Sequence, residues 1–198
     1  MLAYINGKIE IKTNEYVIAD VGGIGYKIFM SESSLAELEL GSNKKIFTYM
    51  KVREDDISLY GFLNNEELLT FELLISVGGV GAKTAIGILS NIAPSSFALA
   101  VISNDVNTLK KLPGIGAKTA QRIILELKDK MKSESAISQT DEEIKTTVKL
   151  DSKVEDAMEA LTVLGYNRKE IEKVLDKIET KELDVEGIIK AGLKLLGR

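Results

Sequence analysis

Two copies of a short glycine-rich sequence carry the clearest chemical signal in this chain. Residues 77–85 read Val-Gly-Gly-Val-Gly-Ala-Lys-Thr-Ala and residues 112–120 read Leu-Pro-Gly-Ile-Gly-Ala-Lys-Thr-Ala, so the matches share one offset. Gly-x-Gly suits a tight turn between helices because glycine tolerates positive φ. The first N–H groups of the following helix lack intrahelical partners, and such groups bind anions. With a lysine in the first turn of that helix, each copy predicts a binding site for a backbone phosphate of nucleic acid.

Two better-known phosphate-binding motifs do not fit these copies. A P-loop has glycine directly before its lysine and follows a strand, whereas Ala82 and Ala117 precede the lysines here and both copies follow helical patterns. The dinucleotide fingerprint Gly-x-Gly-x-x-Gly lacks its third glycine in both copies. The alternative is that these glycines only cap helices in a helical repeat. Both copies also repeat the lysine and the threonine at the same positions, which favours phosphate binding over helix capping alone.

Composition excludes several kinds of chemistry. The chain has no cysteine and no histidine, so disulfides, thiolate catalysis and the commonest general base and metal ligand are all excluded. It has no signal peptide and no apolar run near the ~20 residues of a membrane span. We therefore expect a cytoplasmic protein that does not associate with membranes and has no zinc site of the usual kind.

The charge is distributed unevenly along the chain. The formal net charge is −4. Residues 76–132 nevertheless carry eight Lys/Arg and three Asp/Glu, whereas residues 1–75 carry seven and twelve. A basic segment around two predicted anion sites, within an acidic protein, indicates localised contact with a nucleic-acid backbone.

The first part of the chain has the pattern of a small barrel. Apolar and polar residues alternate over 3–12, 16–21, 25–30, 45–52 and 57–62, and one helical segment over 31–40 separates the third and fourth strands. Ser31 or Ser33 is the expected cap of that helix. Five strands with a helix after the third match the plan of an OB-type barrel, and another small barrel or sandwich is the alternative.

After residue 63 the spacing of apolar residues changes from that of strands to that of helices. A helix begins near Asn64, each glycine-rich copy opens another helix, and Pro94 and Asp105 are start signals for two more. This helical block ends near Met131. Residues 133–149 are polar without an apolar period, which predicts a flexible linker. Three short amphipathic helices follow, over 153–164, 168–178 and 185–196, with Gly165 closing the first and Asp184 capping the third.

These parts, in this order, resemble the RuvA family of Holliday-junction-binding subunits over the whole chain. The resemblance is carried by the motifs Gly7-Lys8-Ile9, Gly22-Gly23-Ile24-Gly25-Tyr26, Arg53-Glu54-Asp55, Leu59-Tyr60-Gly61-Phe62, the two glycine-rich copies, Thr119-Ala120-Gln121-Arg122, Glu126-Leu127-Lys128-Asp129 and Leu161-x-x-Leu164-Gly165-Tyr166. It implies an α+β, multi-domain fold. The expected domains are an OB barrel over 1–63, tandem helix-hairpin-helix motifs over 64–132, a linker over 133–149 and a UBA-like three-helix module over 150–198.

The resemblance also implies a function and its site residues. The protein would bind four-way junction DNA as a homotetramer, alone or as two tetramers face to face, in recombination, DNA repair and the SOS response. Its DNA contacts would come from Gly79, Gly81, Lys83, Gly114, Gly116, Lys118, Thr119 and Arg122. Glu54 and Asp55 would form an acidic pin at the junction centre. The C-terminal module would bind a RuvB-type AAA+ ATPase, with Leu161, Leu164 and Tyr166 as candidates near that surface. The apolar pattern by itself places these three residues in the core of the module, and it does not separate core residues from partner contacts.

A junction resolvase of the same pathway is a further implied partner, and no catalytic residue, metal ion or cofactor is expected in this chain. Two features depart from the family pattern that the resemblance carries over. Asp56 adds a third carboxylate to the acidic pair, and Ala117 stands where the family often has lysine, which would weaken the second hairpin slightly. Lys110 and Lys111 are candidates to compensate for that loss.

Two other functions fit parts of the chain. A hairpin-containing nuclease or glycosylase would need carboxylates for two metal ions, or a catalytic Asp or Lys beside a base-flipping pocket. No suitable carboxylate cluster is apparent in the sequence. A single-strand-binding OB protein would use aromatic stacking platforms. The barrel region supplies candidates for such platforms: Tyr4, Tyr16, Tyr26, Phe29, Phe47, Tyr49, Tyr60 and Phe62.

Overall fold

The structure is a computed structural model that describes residues 1–137, 152–180 and 183–196. Its strands are β1 (Tyr4–Lys12), β2 (Tyr16–Val21), β3 (Ile24–Phe29), β4 (Asn43–Val52) and β5 (Ile57–Phe62). Its helices are α1 (Glu32–Ala36), α2 (Asn65–Ile75), α3 (Ala82–Leu89), α4 (Pro94–Ile102), α5 (Val106–Leu109), α6 (Ala117–Ile137), α7 (Ser152–Val163), α8 (Arg168–Leu175) and α9 (Val185–Leu196). No single one of these helices is long and apolar enough to cross a membrane, although α3 and α4 pass that test as a bent pair, by length and composition only.

The five strands form a closed barrel in the order β1-β2-β3-β5-β4. All neighbours are antiparallel except β3 and β5, which are parallel. Strand β1 has a register shift between Ile9 and Ile11, which lets one strand pair with both β2 and β4. The predicted OB-type barrel is confirmed. Its strand bounds match the alternating segments to within two residues, because alternation reports which face of each strand is buried.

The barrel interior is aliphatic and closely packed. Ile5, Ile9, Val17, Ile28 and Ile46 are at most 4% exposed, and Leu35 of α1 joins the same core. Helix α1 begins where predicted, since the Ser31 hydroxyl accepts a hydrogen bond from Ser34 N at 3.2 Å.

Helix α2 follows β5 through a reciprocal cap. Asn64 Oδ1 accepts from Glu67 N at 2.8 Å, and the Glu67 carboxylate accepts from Leu63 N at 3.3 Å and from Ser34 Oγ at 2.9 Å. This arrangement pairs N–H groups that the start of a helix would otherwise leave unsatisfied. It therefore fixes where the helical part of the chain begins.

The chain divides into two compact units. One contains Met1–Ile75 and Gly81–Ile92, and the other contains Ser76–Val80 and Ala93–Arg198. Helices α2 and α3 thus group with the barrel, whereas the sequence patterns assign them to a separate domain over 64–132. In the second unit, α4, α5 and α6 pack together.

Helix α6 is longer than the sequence pattern predicts. It runs to Ile137, so the first five residues of the predicted linker, 133–137, are helical. Helix-favouring lysine and glutamate residues in its last turns, and alanine near its end, explain the continuation without an apolar stripe. The rest of the predicted linker lies outside the described residues.

The three C-terminal helices form a module, as predicted. Gly165 has φ of 98° after α7, Asn167 caps α8, and Asp184 Oδ1 accepts from Gly187 N at 2.8 Å at the start of α9. Within the second unit, α9 also packs against α4, and α7 packs against α6.

Candidate nucleic-acid interface

The first glycine-rich copy forms a tight hairpin before α3. Val77 and Val80 are buried, and Val80 N donates to Val77 O at 3.1 Å. Gly79 between them has φ of 93°, a conformation that side chains rarely adopt. Gly81 is the N-cap residue of α3 and supplies no side-chain cap. The N–H groups of the first turn of α3 are therefore left for another partner.

The second copy repeats this geometry before α6. Leu112 and Ile115 are buried, Ile115 N donates to Leu112 O at 3.2 Å, and Gly114 has φ of 75°. Gly116 precedes the helix as Gly81 does. The carbonyl oxygen of each glycine accepts a hydrogen bond of 2.9 Å from the backbone N–H four residues later in the chain. The sequence repeat is thus a structural repeat. Its apolar residues anchor each turn, and its glycines stand at the surface.

Both hairpins have open surfaces with a positive charge. A methyl group added at Gly79, Gly81 or Gly116 would meet no atom within 4 Å, so a ligand can approach the backbone closely there. Lys83 and Lys118 are exposed. Neither lysine forms an ion pair with any residue in the described part of the chain, so both ammonium groups are available to a ligand. Thr119 is half-buried beside Lys118.

Arg122 has partners within the protein. Its Nη1 donates to Gly78 O at 3.1 Å, and its Nε lies 3.6 Å from Glu126 Oε1. Glu126 Oε2 in turn accepts from Gly78 N at 3.3 Å. One turn further along α6, Lys130 Nζ donates to Ser76 Oγ. Helix α6, which the second hairpin opens, therefore holds residues 76–78 of the first hairpin. We call Arg122, Glu126 and Lys130 the α6 stripe.

The sequence patterns assigned Arg122 to DNA alone and missed Glu126 and Lys130. Their spacing of four residues was the available signal, because residues four apart lie on one face of a helix. The pattern could not show that this face meets the other hairpin. With a side chain 58% exposed, Arg122 still presents charge to the solvent beside Gly78.

The β4–β5 turn carries the acidic residues. Glu54, Asp55 and Asp56 are all exposed, and the turn is closed by Arg53 N donating to Asp56 O at 2.8 Å. Asp56 Oδ2 accepts from Ser58 Oγ, so this third carboxylate is bound within the turn. Glu54 and Asp55 have no hydrogen-bonding or ion-pairing partner among the residues that the structure describes. Among all the residues that the structure describes, no group of three or more His, Cys, Asp or Glu side chains is placed to hold a metal ion.

Helix α5, which precedes the second hairpin, begins at a capping carboxylate. Asp105 Oδ1 accepts from Thr108 N at 3.0 Å and Oδ2 accepts from Thr108 Oγ1 at 2.6 Å, which caps α5. These hydrogen bonds favour the charged form and hold the pKa of Asp105 below its ordinary value.

The three candidate motor-binding residues lie in a core. Leu161 is 0% exposed, Leu164 is 6% exposed and Tyr166 is 3% exposed. Helices α7, α8 and α9 bury them against one another, so they belong to the core of the module, and their part in binding a motor stays a prediction. Leu195 on α9 is 38% exposed and is the large apolar side chain that the described part of this module presents to the solvent.

Comparison with known families covers most of the chain. Residues 1–61 match the RuvA N terminal domain, residues 71–129 match the SAM-like helix-hairpin-helix tandem, and residues 152–197 match the RuvA C-terminal domain.

Relatives of this chain match it over nearly their whole length. A protein of Acetivibrio thermocellus is 51% identical over 100% of both chains. One from Ruminiclostridium cellulolyticum is 46% identical over 99% of this chain and 100% of its own, and one from Clostridium botulinum is 44% identical over 99% of each. All three are named Holliday junction branch migration complex subunit RuvA.

Proposed function

This chain belongs to the RuvA family, and from that membership we propose that it is the DNA-binding subunit of a Holliday junction branch-migration complex. It binds four-way junction DNA by structure rather than by sequence, and it holds the junction open for a RuvB-type AAA+ motor. The subunit is not an enzyme. ATP hydrolysis belongs to the motor.

The observation that carries this proposal is the pair of equivalent hairpins. Each presents exposed glycines, the N–H groups of a helix start and one exposed lysine. N–H groups and lysines contact phosphates, and phosphate contacts position a protein without reading bases. Two such sites in one chain hold the backbone of one duplex arm at two points. This arrangement supports DNA contacts by residues of both hairpins, and we assign them to Gly79, Gly81, Lys83, Gly114, Gly116, Lys118 and Thr119.

Arg122 has a combined role in the proposal. Its hydrogen bond to Gly78 O orients the first hairpin, and its exposed guanidinium adds positive charge beside that hairpin. A phosphate near Gly78 would meet both the backbone and this charge.

Glu54 and Asp55 act as the acidic pin. Two exposed carboxylates at the end of a barrel hairpin repel phosphates, so they keep the crossing strands apart at the junction centre. Asp56 differs from them because its carboxylate is bound by Ser58. The turn therefore presents two carboxylates without partners to DNA, whereas the Asp56 carboxylate accepts a hydrogen bond within the turn.

The assembly is a homotetramer formed mainly through the barrels. Four identical subunits suit four equal arms, since rotational symmetry repeats one set of contacts on each arm. Large apolar side chains exposed on the barrel support contacts between subunits. They are Tyr4, Ile11, Val21, Ile24, Leu40, Val52 and Ile57. One tetramer, or two face to face, would cover the junction.

The C-terminal module recruits the motor, and a junction resolvase acts on the same DNA afterwards. Leu195 on α9 is the exposed apolar side chain from which a contact with the motor could be built. The complex works in the cytoplasm, where recombination intermediates arise.

A competition gel shift at two salt concentrations tests the proposal. The protein is bound to a labelled four-way junction, with linear duplex and single strand as competitors. We expect a strong preference for the junction at the higher salt concentration. Replacing Lys83 and Lys118 together by glutamine removes two phosphate contacts from each subunit, so the slope of log K against log salt should fall in magnitude by about 1.8 per subunit, or about 7 for a tetramer.

The matched control replaces Lys173 and Lys177 by glutamine, two exposed lysines of the C-terminal module. It makes the same change in net charge and should leave the slope unchanged. Equal binding to junction, duplex and single strand would overturn the proposal. So would equal slopes for the two double variants.

A further inference from the structure

A row of aromatic rings crosses the outer face of the barrel. Tyr16 pairs with Phe29, Phe29 with Tyr60, and Tyr60 with Tyr49, so the four rings lie in register on β2, β3, β5 and β4. Their neighbours Val17, Ile28 and Leu59 are buried in the barrel, which places the rings on the outside. Ring centroids are 6.0 Å apart for the first pair and 5.9 Å apart for the second.

Helix α2 covers only one end of this row. The Phe71 ring lies 5.3 Å from that of Tyr49 and 5.4 Å from that of Tyr60. Phe29 and the other edge of Tyr60 border a cleft of about 380 Å³ between the barrel and α3, within one compact unit. Small-molecule sites have volumes of ~300–1,000 Å³, so the cleft has room for one planar ring system.

The lining of the cleft combines four kinds of groups. Phe29 and Tyr60 supply aromatic surface, Asn14 supplies an amide, Glu15 and Glu32 supply carboxylates, and Lys83 supplies a positive charge. Neither the Asn14 amide nor the Lys83 ammonium has a hydrogen-bonding or ion-pairing partner within the described ranges of the chain. Aromatic surface, hydrogen-bonding groups and one cation together match a nucleotide: a base with an attached phosphate.

The cleft also lies between the two features already assigned to DNA. Lys83 is the lysine of the first hairpin. Ser58 lines the cleft from the barrel side, and its hydroxyl donates to Asp56 of the acidic turn. A DNA strand that contacts both the first hairpin and the acidic turn therefore passes the mouth of the cleft.

We propose that this cleft binds an unpaired nucleobase of a DNA strand that crosses the junction. The inference rests on the proposed function, since bases become unpaired where strands exchange partners. The base stacks on Tyr60 and Phe29, and Lys83 neutralises the phosphate of the same nucleotide. Glu15 accepts a hydrogen bond from an exocyclic amino group, as carboxylates do from cytosine. The cleft thereby holds a base between the loss of one pairing partner and the gain of the next.

Photocrosslinking tests this assignment in the full-length protein. A four-way junction carries 5-iododeoxycytidine at the crossover, because this base crosslinks to aromatic side chains on which it stacks. A second junction carries the same base within one arm, and a labelled single strand serves as a third probe. We expect crosslinks to Phe29 or Tyr60, mapped by mass spectrometry, from the crossover position and not from the arm.

Gly87 on α3 provides a matched pair of variants. It lines the cleft, so Gly87→Leu fills the space and Gly87→Ala adds one methyl group. Both residues favour a helix more than glycine does, so α3 is retained. Gly87→Leu should lower the crosslink yield at least about fivefold, the effect of losing ~1 kcal/mol of stacking. Gly87→Ala should lower it less.

Two results would overturn the proposal. One is a junction bound at full affinity that gives no crosslink to Phe29 or Tyr60. The other is an equal crosslink yield from the two Gly87 variants. If the protein does not bind the junction at all, the proposed function fails, and the single strand then decides the question of the cleft. A crosslink from it to Phe29 or Tyr60 supports the base site, and the absence of one refutes it.

Discussion

Replacing Glu126 by alanine should loosen the first hairpin. Glu126 lies on α6, the helix that follows the second hairpin, and it contacts Gly78 of the first hairpin. The Glu126 carboxylate accepts from Gly78 N at 3.3 Å and lies 3.6 Å from Arg122 Nε. Alanine removes both interactions and keeps helix α6, because it is the strongest helix former. The backbone N–H of Gly78 then loses its acceptor, while Arg122 keeps its hydrogen bond to Gly78 O.

The size of the effect follows from the exposure of the groups. Arg122 is 58% exposed and Glu126 is 36% exposed, and an ion pair at such sites contributes about 0.5 kcal/mol. A hydrogen bond to a charged group contributes about 1.5–3 kcal/mol when well formed. At 3.3 Å and with partial exposure, we assign the lower value of about 0.5–1 kcal/mol that is typical of an ordinary hydrogen bond. The ion pair joins two residues of α6 and persists when residues 76–80 open, so only the hydrogen bond to Gly78 N counts toward opening. The free energy of opening residues 76–80 should therefore fall by about 0.5–1 kcal/mol, or roughly 2- to 5-fold in the opening equilibrium.

Amide hydrogen exchange measures this opening directly. The peptide covering residues 76–80 should exchange roughly 2- to 5-fold faster in Glu126→Ala than in the unsubstituted protein. Glu172→Ala is the matched control, since Glu172 forms the same kind of pair with Arg168 at 3.3 Å on α8. Its removal leaves the hairpin contacts in place and should not change exchange at 76–80.

Equal exchange at residues 76–80 in Glu126→Ala and Glu172→Ala would show that Glu126 does not hold the first hairpin. A uniform increase across the whole chain would also refute this role of Glu126, because that result would report global destabilisation. A local increase together with weaker junction binding would identify the α6 stripe as the part that orients the first hairpin for DNA.

Three other perturbations have defined outcomes. Gly61→Ala should lower the unfolding free energy by about 1–3 kcal/mol in a urea titration, because the added methyl group would meet buried Ile28 and Ile46 side chains of the barrel. The pKa of Asp105 is lowered in the folded protein, so its stabilising effect is present at neutral pH and is lost as the pH falls through that pKa, below 3.8. Between about pH 5 and pH 1 the unfolding midpoint of the unsubstituted protein should decrease in part because Asp105 is protonated, and Asp105→Asn should lack this part of the decrease. Glu54→Gln with Asp55→Asn should keep or tighten junction binding and change the rate of motor-driven branch migration, and an unchanged rate would mean that the turn has no role as a pin.

Much of the fold could be predicted because its signals are local. Strand β2 and strand β5 have the bounds that alternation predicts, and α4 begins at Pro94 with proline in its first turn. Capping residues act within one turn, so Ser31 and Asp105 mark helix starts in the sequence as they do in the structure. The end of α6 was predicted poorly, since helix-forming polar residues read as a linker when no apolar stripe accompanies them.

Placement on a surface or in a core was harder to predict. Leu161, Leu164 and Tyr166 belong to a motif that suggested a partner surface, yet all three are buried. An apolar residue on an amphipathic helix packs equally well against its own module or against a partner. The sequence pattern is the same in both cases, and only the packing of α7, α8 and α9 distinguishes them.

By itself the sequence determined the barrel, the two hairpins and their lysines, because strand alternation, glycine conformation and helix capping depend on residues close together in the chain. Only the tertiary structure shows that α6 holds residues 76–78 and that aromatic rings from separate strands line one cleft. Both arrangements bring together residues that are far apart in the sequence. Their physical basis is the closure of the barrel and the packing of helices, which no local pattern encodes.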